Sequence, residues 1–328
     1  MDHWVVGVDL GATKVALGLI DPQNRMVARR RFPTESSRGP AWAVERITAA
    51  VHELQGSLPA DVTISGSGIC SPGPLDHASG MIYDPPNLIG WRDVPLRRML
   101  VDALHMPVCL EHDAKAAALG EFYYGAGRGA RSMVYIVVGT GVGAAIILDG
   151  QVYRGEQNSA GEVGHITIDP HGEVCSCGAV GCVETFLSGP NLARSYRQAL
   201  ASLPPGIISA EQVTGESVVN LAEQGDVLAL RVMAQASEAL GTAVASLAMI
   251  LDVDLYVIGG SVAKAGDLLL GPARQAVSRH AFRSVAGRIR IVPCALPDDG
   301  PILGCGWLVR QALENPGLRG VSNPYADT

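Results

Sequence analysis

Two stretches of this chain share one pattern, and that pattern limits the folds open to it. VVGVDLGATKVALGLID begins at Val5 and VYIVVGTGVGAAIILDG begins at Val134. Each is an apolar run of strand length, a glycine turn and a second apolar run, which reads as a β-hairpin. A lone hairpin is marginal in water and must gain further strands or helix cover. Segments with helical spacing follow each one. The sequence therefore predicts two related αβ domains, each opening with a hairpin. No solenoid period or low-complexity tail competes with this reading.

Around the first hairpin, strands are expected at Trp4–Asp9, Val15–Ile20 and Met26–Phe32, a helix over Ala41–Leu54, and a strand over Val62–Cys70 ending in the loop SPGPLD. A helix over Asp93–Leu104 and a short strand Val108–Leu110 lead to Asp113, which reads as the N-cap of the alanine-rich helix Ala114–Phe122. Around the second, strands Met133–Val138 and Ala144–Leu148 precede helices near Pro190–Leu200 and Asp226–Ile250. A strand at Leu255–Ile258, a helix Ala265–Ala281, a strand Ile289–Val292 and a last helix Ile302–Leu313 complete the series. The run Leu203-Pro204-Pro205-Gly206 reads as a surface loop.

Composition removes several classes. With 48% hydrophobic and 17% charged residues, the chain is too apolar for disorder. A net charge of -7 leaves no overall basic field for nucleic acid. The longest uncharged stretch, Ser132–Leu148, falls short of the ~20 residues that span a bilayer, and Gly139, Gly141 and Gly143 interrupt it. The N-terminus lacks a basic n-region and a cleavage pattern. Seven cysteines, three of them crowded into CSCGAVGC, do not form a secreted disulfide framework. The expectation is a soluble cytoplasmic protein.

Five motifs carry chemistry. DLGATK delivers Asp9 to a tight turn whose open backbone N–H groups suit a phosphate, with Thr13 and Lys14 beside it. It is neither a P-loop nor a dinucleotide fingerprint, because no helix follows. GTGVG repeats the device, so two glycine hairpins could bracket a polyphosphate. IGGSVAKAG (258–266) ends a strand in paired glycines before a helix, a place where a flat ring can approach. All three lysines, Lys14, Lys115 and Lys264, fall at these candidate loops. In HDAKAAALGE, Asp113 is either a helix cap or a general base for phosphoryl transfer. In GEVGHITIDPHGEVCSCGAVGCVE, three thiols and one imidazole make a Cys3His site for structural zinc, with His165 and His171 both open as the fourth ligand. Glu162 and Glu184 flank this segment as either solvated surface or acceptors for sugar hydroxyls, and Cys70, Cys109, Cys294 and Cys305 read as core.

Taken in order, DLGATK, the PNL…GW segment, the DA-x-AA-x-GE helix, GTGVG, GEVGH, CSCGAVGCVE and IGGS resemble the ROK family of bacterial sugar kinases and related repressors, collinearly from Val5 to Trp307. The resemblance implies an actin-like, hexokinase-type (ribonuclease H-like) α/β fold of two domains around a cleft. The small domain would be 1–112, joined by the C-terminal helix 302–328, and the large domain 113–301 would carry the zinc segment 165–182. It implies an ATP-dependent kinase for the 6-hydroxyl of a hexose, glucose first, with Mg²⁺ and structural Zn²⁺, in a homodimer or homotetramer that binds neither nucleic acid nor membrane. Asp113 would be the catalytic base. Asn87, His112, Glu162, His165 and Glu184 would contact sugar, and His165, Cys175, Cys177 and Cys182 would hold zinc. Asp9, Gly11, Thr13, Lys14, Thr140 and Gly141 match the phosphate loops, with Asp9 near Mg²⁺, and Gly259 and Gly260 match the adenosine loop. The family's kinases carry Asn where this chain has His112. That departure keeps an N-acetylhexosamine or cyclitol kinase in view, and beside it a non-catalytic sugar-binding regulator. Such regulators carry an N-terminal helix-turn-helix, for which no segment precedes DLGATK.

Overall fold

The computed structural model describes residues 3–201, 213–315 and 321–322. The Leu203–Gly206 loop lies outside them. The described chain divides into two units: Met1–Arg128 with Arg154–Ser159 and Asp298–Thr328, and Gly129–Tyr153 with Ala160–Pro297.

In the first unit, β1 (Trp4–Leu10), β2 (Lys14–Ile20) and β3 (Met26–Pro33) form an antiparallel meander. Helix α1 (Pro40–Gly56) leads to β4 (Ile64–Ser71), the short pair β5 (Leu75–Asp76) and β6 (Met81–Ile82), α2 (Leu96–Leu104), β7 (Val108–His112) and α3 (Asp113–Tyr124). Both β4 and β7 run parallel to β1, as strands linked through helices do. With a late strand β13 (Val321–Ser322), the order is β13-β7-β4-β1-β2-β3.

The second unit comprises β8 (Met133–Val138), β9 (Val142–Leu148), β10 (Gln151–Tyr153), α4 (Val183–Leu187), α5 (Gly189–Ala201), α6 (Gly215–Glu223), α7 (Val227–Leu251), β11 (Leu255–Gly259), α8 (Asp267–His280), α9 (Arg283–Ala286) and β12 (Arg290–Pro293). Its sheet runs β10-β9-β8-β11-β12, with β8, β11 and β12 parallel and the meander antiparallel. Strand for strand, this is the first unit's arrangement from β3 to β7. The duplicated hairpin in the sequence is thus the visible part of a duplicated topology.

Period-two alternation explains how each sheet is covered. Along β1, Val6, Val8 and Leu10 enter a core with Val44, Ile47 and Leu100 from α1 and α2. The other face presents Val5, Gly7 and Asp9 to α10 (Gly300–Glu314). A Cβ on Gly7 would fall on the Ile302 carbonyl, and one on Gly68 of β4 on that of Cys305. Helix α3 meets α10 as closely, since Cβ atoms on Gly120 and Gly304 would strike the carbonyls of Gly300 and Ala116. Small residues thus set a backbone-to-backbone contact. That contact keeps α3 with the first unit, whereas the sequence reading draws a line between His112 and Asp113.

Two other readings change. The N-cap of α3 is His112, not Asp113: His112 is extended (φ -71, ψ 141), while Asp113 already stands in the first turn. The helix expected from Asp93 begins at Leu96, because Asp93 has φ 51 and Pro95 is the cap. Among the described residues, α7 alone is long and apolar enough to cross a membrane. Its Val232, Ala236, Leu240, Ala243 and Leu247 pack in the second unit's core.

Candidate active site

In the first unit, β1 carries Asp9 to the Gly11 turn, where Gly11 N–H donates to the Lys14 carbonyl at 3.0 Å and Thr34 Oγ1 donates to the Gly11 carbonyl at 2.7 Å. Thr13 is exposed at the tip and Lys14 opens β2. Burial, and after it the nearby charge of Asp113, push Asp9 from its ordinary 3.8 to about 6 against the opposing pull of Cys70 and Lys14. Cys70 Sγ stands 3.6 Å from Asp9 Oδ1.

Asp113 stands at the N-terminus of α3 with its side chain 42% exposed, open to a ligand. Its Oδ1 accepts from Ala114 N–H at 2.6 Å and lies 3.0 Å from His112 Nδ1. The His112 ring lies against Gly73, where a Cβ would stand 2.8 Å from Cδ2. Burial works against the imidazolium, but the hydrogen bond to Asp113 and its charge prevail and raise the His112 pKa. Asn87 is exposed on the loop before Leu88. Lys115 is no free cation at a nucleotide loop: it is 3% exposed and its Nζ donates to Asn158.

In the second unit, GEVGH lies along β9. Gly161 accepts from Ala144 N–H at 2.8 Å, and Cβ atoms on Gly161 and Gly164 would strike the Ala144 and Val142 carbonyls. This seats Glu162, exposed, and His165, half-buried, beside the GTGVG turn. Glu184, on the first turn of α4, accepts from Val142 N–H at 2.9 Å through Oε2, and a Cβ on Gly141 would stand 2.8 Å from the same oxygen. Glu184 therefore holds the second glycine turn.

His165, Cys175, Cys177 and Cys182 converge, their ligand atoms all within 4.8 Å of one another. Cys177 and Cys182 sulfurs are 3.7 Å apart, as are Cys175 Sγ and His165 Nδ1. A tetrahedral ion with bonds of about 2.3 Å to sulfur spaces its ligands by about 3.7 Å, so the set fits Zn²⁺. His171 is exposed and stands outside the cluster, so of the two histidines it is His165 that the fold brings to the three thiols. Burial opposes ionisation of Cys175, but hydrogen bonds from Cys177 and His165 bring that thiol down to about 7.

Beyond GTGVG, a cavity of about 640 Å³ is lined by Gly139, Thr140, Thr214, Asn220, Ser261 and Lys264, among others. Gly259 and Gly260 stand just behind its lining: Gly260 has φ 92, packs on the Val138 carbonyl, and turns Ser261 toward the cavity. Thr214 and Asn220, from the start of α6 and within it, escaped the sequence reading. The only signal for them was the capping box at Thr214 and Ser217.

The sequence profile of the ROK family matches residues 5–312. A glucokinase of Halalkalibacterium halodurans is 36% identical over 317 residues, 94% of this chain and 96% of that one. A putative xylose repressor of Caldicellulosiruptor sp. is 32% identical over 314 residues, 93% of this chain and 77% of that one. A ROK family glucokinase from Streptomyces griseus, solved in complex with glucose and AMPPNP, aligns with a TM-score of 0.78 at 30% identity, covering 94% of this chain and 99% of that structure. Profile, sequence and fold agree along nearly the whole length, and the chain belongs to the ROK family.

Proposed function

We propose that this protein is an ATP-dependent sugar kinase that phosphorylates the primary 6-hydroxyl of a hexose, with glucose the first substrate to test. The observation that carries the reading is the acidic pair in the first unit. Asp113, open to a ligand, stands close enough to Asp9 to raise its pKa, and Lys14 is beside them. Ligands that offset or use two such carboxylates are a hydroxyl giving up its proton and a metal-bound polyphosphate. The likeness to glucokinases, one of them holding glucose and a nucleotide analogue, supports it.

In this mechanism Asp113 accepts the hydroxyl proton as the sugar oxygen attacks the γ-phosphorus. The bond from that phosphorus to the β–γ bridging oxygen breaks, and ADP leaves with the electron pair. Lys14 and the backbone N–H groups of the turns at Gly11–Thr13 and Thr140–Gly141, other than the Gly11 N–H that the Lys14 carbonyl holds, offset phosphate charge. Asp9 would hold the Mg²⁺ that accompanies ATP and supplies further charge neutralisation. The adenosine would lie in the cavity reached through Gly259 and Gly260, near Ser261 and Lys264. Asn87, His112, Glu162, His165 and Glu184 would grip the sugar. Zn²⁺ held by His165, Cys175, Cys177 and Cys182 would supply a structural tie, fixing the direction of the imidazole N–H left for a hydroxyl.

His112 favours a second reading. A ring nitrogen with a raised pKa offers a donor where asparagine offers a neutral amide, and this suits an N-acetylhexosamine or a cyclitol. ADP release with Mg-ATP over hexoses, N-acetylhexosamines and cyclitols tests both. Turnover lost in Asp113→Asn is expected with one of them. Sugar binding without turnover across the panel would replace the kinase by a sensor.

A further inference from the structure

Asp113 has buried charges on both sides. Two residues before it, Glu111 on β7 is fully buried. Its Oε1 accepts the His112 backbone N–H at 3.0 Å, and its Oε2 accepts from Arg154 Nε at 3.0 Å and Nη2 at 2.5 Å. His77 Nδ1 stands 3.7 Å from the same oxygen. Two residues after it, Lys115 is 3% exposed and its Nζ donates to the Asn158 carbonyl at 2.6 Å and to Oδ1 at 2.8 Å. Asn158 sits at φ 59 and donates from Nδ2 to the Leu75 carbonyl at 3.2 Å. Both buried charges are thus answered by one short stretch, Arg154–Ser159, which belongs to the first unit although the chain on either side of it belongs to the second.

We propose that this stretch is a clamp on the strand-to-helix turn that presents the base, with Arg154 and Asn158 as positioning residues for Asp113. The proposal rests on Asp113 being the base. A buried ion pair is a weak source of stability compared with apolar side chains of the same volume. It does fix geometry, because two guanidinium donors converge on Glu111 Oε2 while Oε1 is held by the His112 N–H. Glu111 transmits that fix to the His112 N–H, one residue before Asp113, and Lys115 pins the first turn of α3 from the other side. The carboxylate is then held in a reactive orientation, where a displacement of about 1 Å costs on the order of a hundredfold in rate.

The test uses the full chain and three variants: Arg154→Met, Arg154→Lys and Asn158→Gly, the last keeping the positive φ and the carbonyl that Lys115 uses. Steady-state kinetics with Mg-ATP and the preferred sugar are paired with amide hydrogen exchange over residues 108–117. Arg154→Met is expected to lower kcat about tenfold or more with the KM for ATP nearly unchanged, and to speed exchange at His112–Lys115. Arg154→Lys restores part of the loss, and Asn158→Gly lowers kcat by about threefold. Added to Asp113→Asn, Arg154→Met lowers the residual rate no further. Unchanged kcat in Arg154→Met, a loss confined to KM, or unaltered exchange at the turn overturns the clamp. If the wild-type chain turns over no sugar, the kinase reading fails on its own. Exchange then decides the clamp: acceleration confined to the turn upholds it, and none overturns it.

Discussion

The two glycine hairpins occupy the same place in two like sheets, yet they are equipped differently. The first carries its chemistry in side chains: Asp9 at the end of β1, Thr13 at the tip and Lys14 at the start of β2. The second, GTGVG, has one hydroxyl and no charge of its own, and it borrows Glu184 from α4 to fix its backbone. Duplicated topology therefore supplied two like turns, one completed by the half-buried Asp9 and by Lys14, the other by an open cavity and the cysteine cluster of the same unit. What a shared topology fixes is where a ligand can approach. Which atoms meet it is decided locally.

That contrast can be pressed, starting with the largest effect. Asp113→Asn removes the carboxylate proposed as proton acceptor and is expected to lower kcat by about a thousandfold while thermal unfolding stays near wild type. A variant retaining a tenth of the rate would move the base elsewhere. Next comes the metal cluster of the second unit. Chelation, or Cys177→Ala, should lower the unfolding temperature together with sugar affinity, since a closed structural site contributes several kcal/mol or more to folding. Calorimetry with and without chelator decides this, and an unmoved transition would deny the cluster a structural ion.

The half-buried Asp9 gives a smaller effect with a defined sign. A carboxyl raised from 3.8 to about 6 favours the folded state below pH 4, and that contribution disappears as pH rises through about 6. At pH 8 the ionised Asp9 is therefore held at a cost of roughly 3 kcal/mol. Asp9→Asn should unfold at higher temperature than wild type at pH 8 and lose that advantage by pH 4, while phosphoryl transfer is impaired. No gain at pH 8 would mean that the Asp9 anion is better solvated than its burial implies. Smallest of all, Gly141→Ala should raise the KM for ATP several-fold with little change in stability, because the obstructing atom is the end of the flexible Glu184 side chain. A stability loss matching that of a core cavity would show that the turn is rigid.

The sequence revealed more of this molecule where backbone pattern decides than where side chains meet at a distance. Glycine turns and apolar runs placed both hairpins, and the spacing of cysteines suggested one metal cluster. The choice between His165 and His171 as the cluster's fourth member needed coordinates, because sequence distance favoured His171 and the turn along β9 brings His165 in. The identity of the cap was missed because Asp at a helix start is so usual, whereas His112 takes the cap position through its extended backbone (φ -71, ψ 141). The burial of Glu111 and of Lys115 could not be read at all. Charged residues are nearly always solvated, and their burial depends on Arg154 and Asn158, far along the chain. Lys115 looked like a nucleotide ligand for the same reason: the count of three lysines is a sequence fact, but the partner of each is not.

The backbone contact of α10 with α3, β1 and β4 has a consequence for the order in which the molecule is made. Helix α10 leaves the ribosome after all of the second unit, while the strands and helix it covers are among the earliest segments synthesised. Until then the glycine-lined faces of β1 and β4 have no partner, and α3 has nothing to pack its Gly120 against. The second unit, whose strands and helices β8 through β12 are contiguous apart from the clamp, can settle while it is being synthesised. The first waits for contacts of the longest sequence separation, which are the slowest to form. A nascent chain therefore acquires the cavity of its second unit before the sheet carrying Asp9 is complete, and the surroundings of Asp9 and Asp113 are assembled last.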